Sequence, residues 1–325
     1  MNIIVIRKIW TDIYYTLKIC LCIILFLLLN SCSDKSKIKD PKSKIENSQI
    51  QNPQSQIIDD ANIQVRFDSI PKRIVSLAPN ITETIYAIHA ESLLVGVSEF
   101  CTYPPEAKTK TNTGSYLSPD YEKIVSLNPD LVLINVENTS NPTYQSLKNL
   151  GLKLFLSNAK DINGIKKMIS DLGNITDNIS SADSLIEILN KGMVISDTSA
   201  KDNMNSMIII SINPLMTTNG KTFINEITGL AGLTNVYSDE IIDYPSVSFE
   251  DVLKKNPDWI IFPADTSNTE QLINYKKELT SKLGETNAVK NGKVIFIDEN
   301  IMFRPGPRVP YAAELLKQKI DQLKN

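Results

Sequence analysis

One short pattern occurs twice in this chain and constrains the fold more than any other feature. Residues 118–134 read SPDYEKIVSLNPDLVLI, and residues 246–262 read SVSFEDVLKKNPDWIIF. The matched positions, including Glu122 with Glu250, are separated by the same 128 residues. Each copy has the pattern of a short helix, a proline stop and a buried strand. The chain is therefore expected to contain two lobes of one general kind.

The two glutamates occupy equivalent places in this repeat. Each lies in the first turn of its predicted helix, where the helix dipole favours negative charge. Helix stabilisation alone is one interpretation of Glu122 and Glu250. A second follows from their equal placement, because both could project from the same face of the molecule. The expected N-caps are Ser118, followed by Pro119, in the first copy and either Ser246 or Ser248 in the second.

Apolar strands alternate with helices along the rest of the chain. This order predicts an α/β fold with two Rossmann-like lobes, mainly parallel sheets, and one long helix between them at 180–198. A ligand cleft is expected between the lobes, at the carboxyl ends of the strands. A first helix is expected to begin at Asn80, with Glu83 as its capping box. The predicted strands cover 73–77, 92–98, 131–134, 153–157, 206–212, 258–262 and 293–297, and further helices 141–151, 222–232, 248–255 and 309–323.

The amino-terminal region has the pattern of an export signal. A basic start precedes the apolar run ICLCIILFLLL, which is too short to span a bilayer comfortably. The run ends at Leu29-Asn30-Ser31-Cys32, which resembles a lipobox and implies lipid on Cys32. An ordinary signal peptide and an uncleaved anchor are the alternatives, and all three place the body outside the cytoplasm. The predicted regions are 1–31 signal peptide, 32–62 flexible tether, 63–175 amino-terminal lobe, 176–203 linking helix and 204–325 carboxyl-terminal lobe.

Composition argues against several classes of function. Thirty-four Lys and Arg stand against 37 Asp and Glu, and no basic run interleaved with aromatic residues suggests nucleic-acid binding. His89 is the one histidine, so neither a metal site nor a Ser-His-Asp set is expected. Cys101 is interpreted as a small apolar residue. We therefore expect no enzyme activity, no resident cofactor and no metal.

Several segments together resemble a known family. RIVSLAPNITETIYAI, VGVSEFCTYPPEA, the repeat itself and FRPGPRVPYAAELL are similar to the helical-backbone substrate-binding proteins of bacterial ABC importers, most of all to the cobalamin-binding branch. The resemblance implies a ligand held between two lobes. It also implies that one glutamate on each lobe docks with arginines of a dimeric permease, and these fall on Glu122 and Glu250.

The resemblance also implies where ligand contacts lie. Phe100, Tyr116, Met216 and Tyr244 fall where cobalamin binders place aromatic contacts, although both tyrosines stand in place of Trp and Met216 in place of Phe. The chain is therefore expected to capture cobalamin or a related corrinoid and to deliver it, as an anchored monomer of the cell envelope, to a permease dimer with its ATPase subunits. A haem or ferric-siderophore binder of the same fold, with Tyr116 as a haem ligand, is one alternative, and a surface module without transport is another. The expected ligand-binding residues are Phe100, Tyr116, Asn135, Met216, Tyr244 and Arg304. For Arg304 the alternative is structural, with Arg304 or Arg308 paired with a nearby carboxylate.

Overall fold

The computed structural model describes residues 55–197 and 204–324. The predicted signal peptide, Cys32 and most of the predicted tether lie outside these residues. Within them, no helix combines the length and the hydropathy that a membrane crossing needs. The strands are β1 (Ser55–Ile58), β2 (Gln64–Phe67), β3 (Ile74–Ser76), β4 (Leu94–Val97), β5 (Thr111–Asn112), β6 (Leu131–Ile134), β7 (Leu154–Leu156), β8 (Met204–Ile208), β9 (Ser211–Ile212), β10 (Leu215–Met216), β11 (Leu233–Asn235), β12 (Trp259–Ala264) and β13 (Val294–Asp298).

Helices separate most of these strands. The first begins at Pro79 and the last ends at Lys324, and 3-10 turns cover Glu91–Leu93 and Pro105–Thr109. The α-helices are α1 (Pro79–Ala87), α2 (Tyr121–Ser126), α3 (Pro142–Asn149), α4 (Ile162–Thr176), α5 (Ile179–Asp197), α6 (Phe223–Leu230), α7 (Phe249–Lys255), α8 (Thr269–Leu283), α9 (Asn287–Lys290), α10 (Glu299–Met302) and α11 (Val309–Lys324).

Each lobe is built on a parallel sheet, which confirms the predicted fold class. The amino-terminal lobe has five strands in the order β5-β4-β3-β6-β7, and the carboxyl-terminal lobe has four in the order β11-β8-β12-β13. All neighbours in both sheets pair in parallel. The strand order reverses beside β3 in one sheet and beside β8 in the other. Such reversals open a crevice at the carboxyl ends of the strands.

The first strand corrects one predicted boundary. Residues 55–62 were assigned to the tether, but β1 pairs with β2 in an antiparallel hairpin. The turn between them is closed by Asp59, whose carboxylate accepts hydrogen bonds from the backbone of Ala61 and Ile63, both at 2.9 Å. The same side chain accepts from Leu156 N at 3.3 Å, so the hairpin is fixed to the amino-terminal lobe. The polar composition of this segment predicts a flexible tether. The hairpin is held in place by the hydrogen bonds of one buried side chain, Asp59, which composition does not reveal.

The two lobes share one hydrophobic core through their helices. The predicted connection is present as the single helix α5, which packs on α4 and on α11. Helix α11 also packs on α6. A single buried cluster therefore runs from Ile81 and Ile169 in the amino-terminal lobe to Ile227 and Leu316 in the carboxyl-terminal part.

The sequence repeat is a repeat of structure. Helix α2 and helix α7 are each followed by an asparagine in the left-handed region: Asn128 at φ 45° comes after the C-cap Leu127, and Asn256 at φ 44° is itself the C-cap. The strands β6 and β12 follow shortly after. The aspartate before each strand donates its backbone N–H to the start of the neighbouring strand, Asp130 N to Arg73 O at 2.8 Å and Asp258 N to Asn205 O at 2.9 Å. Each helix buries one apolar side chain completely, Ile124 or Val252. The repeat thus places two helices of one kind in equivalent positions on the two sheets.

One predicted cap in the repeat is wrong. Ser118 and Pro119 precede helix α2, whose N-cap is Asp120, with its side chain accepting from Lys123 N at 2.9 Å. Pro119 remains extended because it forms an isolated bridge with Gly114. In the second copy Ser248, one of the two predicted residues, is the cap and accepts from Asp251 N at 3.1 Å.

Candidate ligand cleft and docking surface

A cavity of about 560 Å³ lies between the lobes, at the carboxyl ends of both sheets. The amino-terminal lobe contributes the loops after β6 and β7, which bring Asn135 and Asn158 to the wall. The carboxyl-terminal lobe contributes the start of α6, the segment before Pro245, and the turn around Phe303. The crevice predicted from strand order is therefore an actual cavity, lined by both lobes.

A smaller cavity of about 210 Å³ adjoins the first. The two share Asn135, Phe303 and Pro305 in their walls. Tyr116 and Arg304 lie on the smaller side. Together the two cavities form one continuous cleft, which we call the interlobe cleft.

Two of the predicted aromatic residues, Tyr116 and Tyr244, line this cleft, and a third, Phe100, packs against Tyr116. Tyr116 is 46% exposed, and its ring meets the ring of Phe100 edge-on, with centroids 5.7 Å apart. Tyr244 lies on the opposite lobe in the wall of the larger cavity. Burial raises the pKa of Tyr244, and the nearby Asp243 carboxylate raises it further. The Tyr244 hydroxyl therefore stays protonated at neutral pH and can donate a hydrogen bond.

Met216 lies beside the cleft. It ends β10 and forms an isolated bridge with Ser246, two residues after Tyr244. Neither Met216 nor Phe100 is part of the cavity wall formed by the described residues. Phe100 therefore reaches the cleft through its contact with Tyr116, and Met216 supports the backbone that carries Tyr244. Both assignments as direct ligand contacts remain predictions.

Arg304 takes part in the carboxylate pairing that is the alternative to its predicted ligand contact. Its Nη1 donates to Glu83 Oε1 at 3.0 Å, and Arg308 donates to both oxygens of Glu83 at 2.8 and 2.7 Å. The Glu83 side chain is 1% exposed. Helix α1 is capped at Ala78 without a side-chain hydrogen bond, so the predicted capping box of Asn80 and Glu83 is wrong. Glu83 instead joins the two lobes.

Further hydrogen bonds of Arg304 connect this cluster to the cleft wall. Its Nη2 donates to Phe100 O at 3.1 Å and to Asn300 Oδ1 at 2.6 Å. The Arg308 guanidinium lies 4.2 Å above the ring of Tyr103. The cluster therefore holds the loop that carries Phe100 against the turn that carries Phe303. We call Glu83, Arg304 and Arg308 the interlobe clamp.

The floor of the cleft is also bonded across the lobes. Phe223 N donates to Lys160 O at 2.8 Å, and Ile162 N donates to Glu226 Oε2 at 2.7 Å. Asn80 Nδ2 donates across the lobes to Pro305 O at 3.3 Å, and within the amino-terminal lobe Asn135 Nδ2 donates to Asn80 Oδ1 at 3.4 Å. These bonds fix the two lobes close together below the ligand space.

Several residues of the wall were absent from the predicted set. Phe303 lies in the walls of both cavities, directly before the predicted contact Arg304. A signal existed for Glu137, Asn158 and Lys160, which follow strands of a parallel sheet, and for Asp243, which borders Tyr244. The missed polar residues are Glu137, Asn158, Lys160, Thr222 and Asp243.

His89 and Cys101, for which no functional role is expected, are not among the residues that line the interlobe cleft. His89 is exposed after the end of α1, in the left-handed region at φ 61°. Cys101 is 2% exposed within the shared core, and its sulfur accepts a hydrogen bond from Thr82 Oγ1 at 3.1 Å. Burial raises the pKa of the Cys101 thiol. The protonated thiol packs as a small apolar group.

The repeated glutamates form a second candidate surface. Both Glu122 and Glu250 are exposed in the first turns of α2 and α7. Neither carboxylate has a hydrogen-bond or ion-pair partner among the residues that the structure describes. Their helices enter β6 and β12, the equivalent strands of the two sheets. Two unpaired negative charges are thus displayed at equivalent places on the two lobes.

Comparisons with known proteins agree with this architecture. Residues 74–301 match the family described as Periplasmic binding protein. The chain is 30% identical over 304 residues to an uncharacterized ABC transporter substrate-binding lipoprotein, YvrC, of Bacillus subtilis (strain 168), covering 90% of this chain and 93% of YvrC. It is 27% identical over 268 residues to the vitamin B12-binding protein of Pectobacterium atrosepticum, covering 79% of this chain and 91% of that protein.

A solved structure extends the likeness to three dimensions. The periplasmic vitamin B12 binding protein BtuF of Vibrio cholerae matches with a TM-score of 0.65 and 26% identity, covering 79% of this chain and 99% of BtuF. The described lobes, their parallel sheets and the order of the elements account for this match. The family match and the 30% identity over most of both chains lead to one conclusion: the chain belongs to the periplasmic binding protein family, whose members bind substrates for ABC transport.

Proposed function

We propose that this protein captures a corrinoid, cobalamin or a close relative, in the interlobe cleft and delivers it to an ABC importer. Substrate-binding proteins of such importers work with permease and ATPase subunits. The named relatives include vitamin B12-binding proteins, which supports this choice of ligand. In this proposal Glu122 and Glu250 meet the two halves of the permease, and a lipid on Cys32 holds the protein at a membrane outside the cytoplasm.

The observation that carries the proposal is the pairing of rings across a broad cleft. Tyr116, backed by Phe100, stands on one lobe and Tyr244 on the other, with Phe303 between the two cavities. A corrinoid is a wide, partly apolar disc, and aromatic faces supply contact area for such a disc. Amide and hydroxyl groups in the wall, from Asn135 and other side chains, suit its polar arms.

A titration of the protein with four ligands tests the proposal. Cyanocobalamin and dicyanocobinamide are expected to bind, whereas haemin and a ferric hydroxamate are expected to bind weakly or not at all. Haem is the second candidate because the Tyr116 hydroxyl lies in the cleft wall and is the available axial ligand. A shift of the haemin Soret band without corrinoid binding would favour haem. Binding of none of the four would favour a surface module without transport.

Two substitutions locate the ligand within the cleft. Tyr116→Ala and Tyr244→Ala each remove a ring from one wall and should weaken corrinoid binding by about 1–3 kcal/mol. Tyr311→Ala is the matched control, since Tyr311 is an exposed tyrosine on α11 outside the interlobe cleft. Unchanged affinity in both cleft variants would place the ligand elsewhere.

A further inference from the structure

We propose that the interlobe cleft selects corrinoids by the chemistry of their side arms, accepting amide arms and rejecting carboxylate arms. This inference rests on the proposed function, because it concerns the ligand of the same cleft. Corrinoids with the same ring differ in how many peripheral carboxylates have been converted to amides. The charge of the cleft distinguishes the two.

The wall of the larger cavity carries more negative than positive charge. Glu137 comes from the amino-terminal lobe and Asp243 from the carboxyl-terminal lobe. Lys160 is the cationic side chain among the described residues of that wall. Asp243 is fixed in place, because its Oδ1 accepts from Asn219 Nδ2 at 3.2 Å and its backbone oxygen accepts from Asn219 N at 2.9 Å.

The adjoining edge of the carboxyl-terminal sheet adds negative charge. Asp265 follows β12, Asp298 ends β13, and Glu299 begins α10. These groups are close enough to interact, since burial raises the pKa of Glu299 and both aspartates raise it further. Arg304 acts in the opposite direction on Glu299 but does not reverse the shift. A ligand entering from this edge therefore meets a negative field.

Arg304 of the interlobe clamp lines the smaller cavity, but most of its donors already have partners in the protein. Arg304 and Arg308 share Glu83, and both guanidinium groups also donate to acceptors in the protein. Arg304 is 11% exposed and Arg308 is 17% exposed, so little of either group faces solvent. The clamp keeps one surplus positive charge, but its N–H donors are directed to acceptors within the protein.

Amide arms fit this wall in a way that carboxylate arms do not. A primary amide can donate to Glu137 or Asp243 and accept from Lys160 or an asparagine. A carboxylate can only accept, and each close contact with Asp243 or Glu137 adds repulsion. Even with the screening of bulk water, one such contact weakens binding roughly five-fold. Several carboxylates around one ring multiply that effect.

Three ligands with one ring test the inference on the full chain. They are the dicyano forms of cobyrinic acid heptaamide, cobyrinic acid and its neutral heptamethyl ester, titrated at pH 7 and physiological salt. The heptaamide should bind about 100-fold more tightly than the acid, with the ester between them because it lacks both charge and N–H donors. Equal binding of heptaamide and acid, within about three-fold, would overturn the inference while leaving the proposed function intact. If cyanocobalamin and dicyanocobinamide also fail to bind, the proposed function itself is wrong and the inference falls with it.

Charge variants assign the selection to the wall. The double variant Glu137→Gln, Asp243→Asn should raise the affinity for cobyrinic acid about ten-fold or more, and Lys160→Gln should lower it. Glu285→Gln is the matched control, since this glutamate is 83% exposed and precedes β13, at the amino end of the strands. It should leave the heptaamide-to-acid ratio unchanged. An unchanged ratio in the double variant would show that the wall charges do not select the arms.

Discussion

Single residues join the two lobes. Among them, the buried Glu83 gives the clearest mutational test. Its carboxylate lies between two arginines from the far end of the chain, at 2.7 to 3.0 Å. Burying this charge is tolerable because both oxygens are paired. Removing the charge would leave two partly buried guanidinium groups without their counterion.

Glu83→Gln should therefore lower the free energy of unfolding by about 3 kcal/mol, the scale for breaking a buried charge pair. Urea unfolding followed by circular dichroism measures the change. Glu187→Gln is the control, since Glu187 pairs with Lys191 where both side chains are about two-thirds exposed. Such surface pairs contribute little, so its midpoint should not move. Equal stability of Glu83→Gln and the parent would mean that the clamp does not hold the lobes.

Glu226 carries a pH dependence with a definite sign. Burial raises its pKa, the Ile162 backbone N–H lowers it, and Asp161 raises it. The folded state thus binds the proton more tightly than the unfolded chain does. The Glu226 charge costs stability at high pH, and the cost disappears as the pH falls through the folded-state pKa.

Glu226→Gln keeps an acceptor for Ile162 N and removes the charge. It should match or exceed the parent's stability at pH 8, with the gap shrinking by pH 5. Glu226→Ala removes the acceptor and should lose about 1–3 kcal/mol at both pH values. Urea unfolding at the two pH values compares all three chains. A gap between Gln and Glu that widens on acidification would reverse the assigned sign.

At the scale of elements, the two copies of the repeat end their helices with an asparagine whose side chain bonds differently in each copy. Helix α2 and helix α7 must stop and turn directly into a buried strand, and each does so with an asparagine at positive φ. Among the described residues, the Asn128 side chain makes a single hydrogen bond, from Nδ2 to Ser126 O at 3.4 Å. Asn256 instead accepts from Asn287 N at 2.8 Å and so holds α9.

The two asparagines should therefore respond differently to glycine. Asn128→Gly should be nearly neutral, because glycine adopts positive φ without strain and little bonding is lost. Asn256→Gly should cost about 1 kcal/mol through the lost bond to Asn287. Valine at either position should cost about 1–2 kcal/mol from the left-handed backbone. Differential scanning calorimetry ranks the four variants, and equal effects of the two glycines would contradict the assigned side-chain role.

Local pattern predicted many of the elements whose signal is local, although helix α4 was missed despite its regular row of buried apolar side chains. Short apolar runs gave the central strands, and the repeat gave α2 and α7. Helix α8 was not predicted, because within it only Leu279 and Leu283 are buried and its exposed face carries no strong periodicity. Pairing of Arg304 or Arg308 with a carboxylate was an alternative, but its partner could not be predicted, because Glu83 and Arg304 lie 221 residues apart and no spacing rule joins them. The cleft itself was predictable from strand order, and the charged residues Glu137, Lys160 and Asp243 lie where the same argument could have found them.

At the scale of the whole molecule, the equivalent lobes present equivalent charges. Glu122 and Glu250 lie on matching helices, are exposed, and lack partners among the described residues. A permease with two equivalent halves could meet both at once. The docking proposal therefore depends on the pair rather than on either glutamate.

Alanine at Glu122 or Glu250 should leave ligand affinity intact and reduce transport, and the double variant should reduce it further. Each lost contact should cost about 2–5 kcal/mol of complex stability if desolvated and less at a rim. Lysine should be worse than alanine because it adds repulsion against cationic partners. Uptake assays at matched protein levels measure this, with Glu285→Lys as the control, and complex formation should weaken as salt rises. Normal uptake by the double lysine variant would show that both glutamates only stabilise their helices.

The hydrophobic cluster shared by the lobes has a mechanical consequence. Spreading the lobes would pull Ile81 and Ile169 away from partners such as Ile227 and Leu316 and expose apolar surface, at about 25 cal/mol for each Å². The clamp and the bonded cleft floor would have to break as well. We therefore expect the empty and loaded protein to be stiff bodies of nearly the same shape, with ligand entering through the open side. The work of forcing the lobes apart then falls to the ATP-driven cycle of the importer.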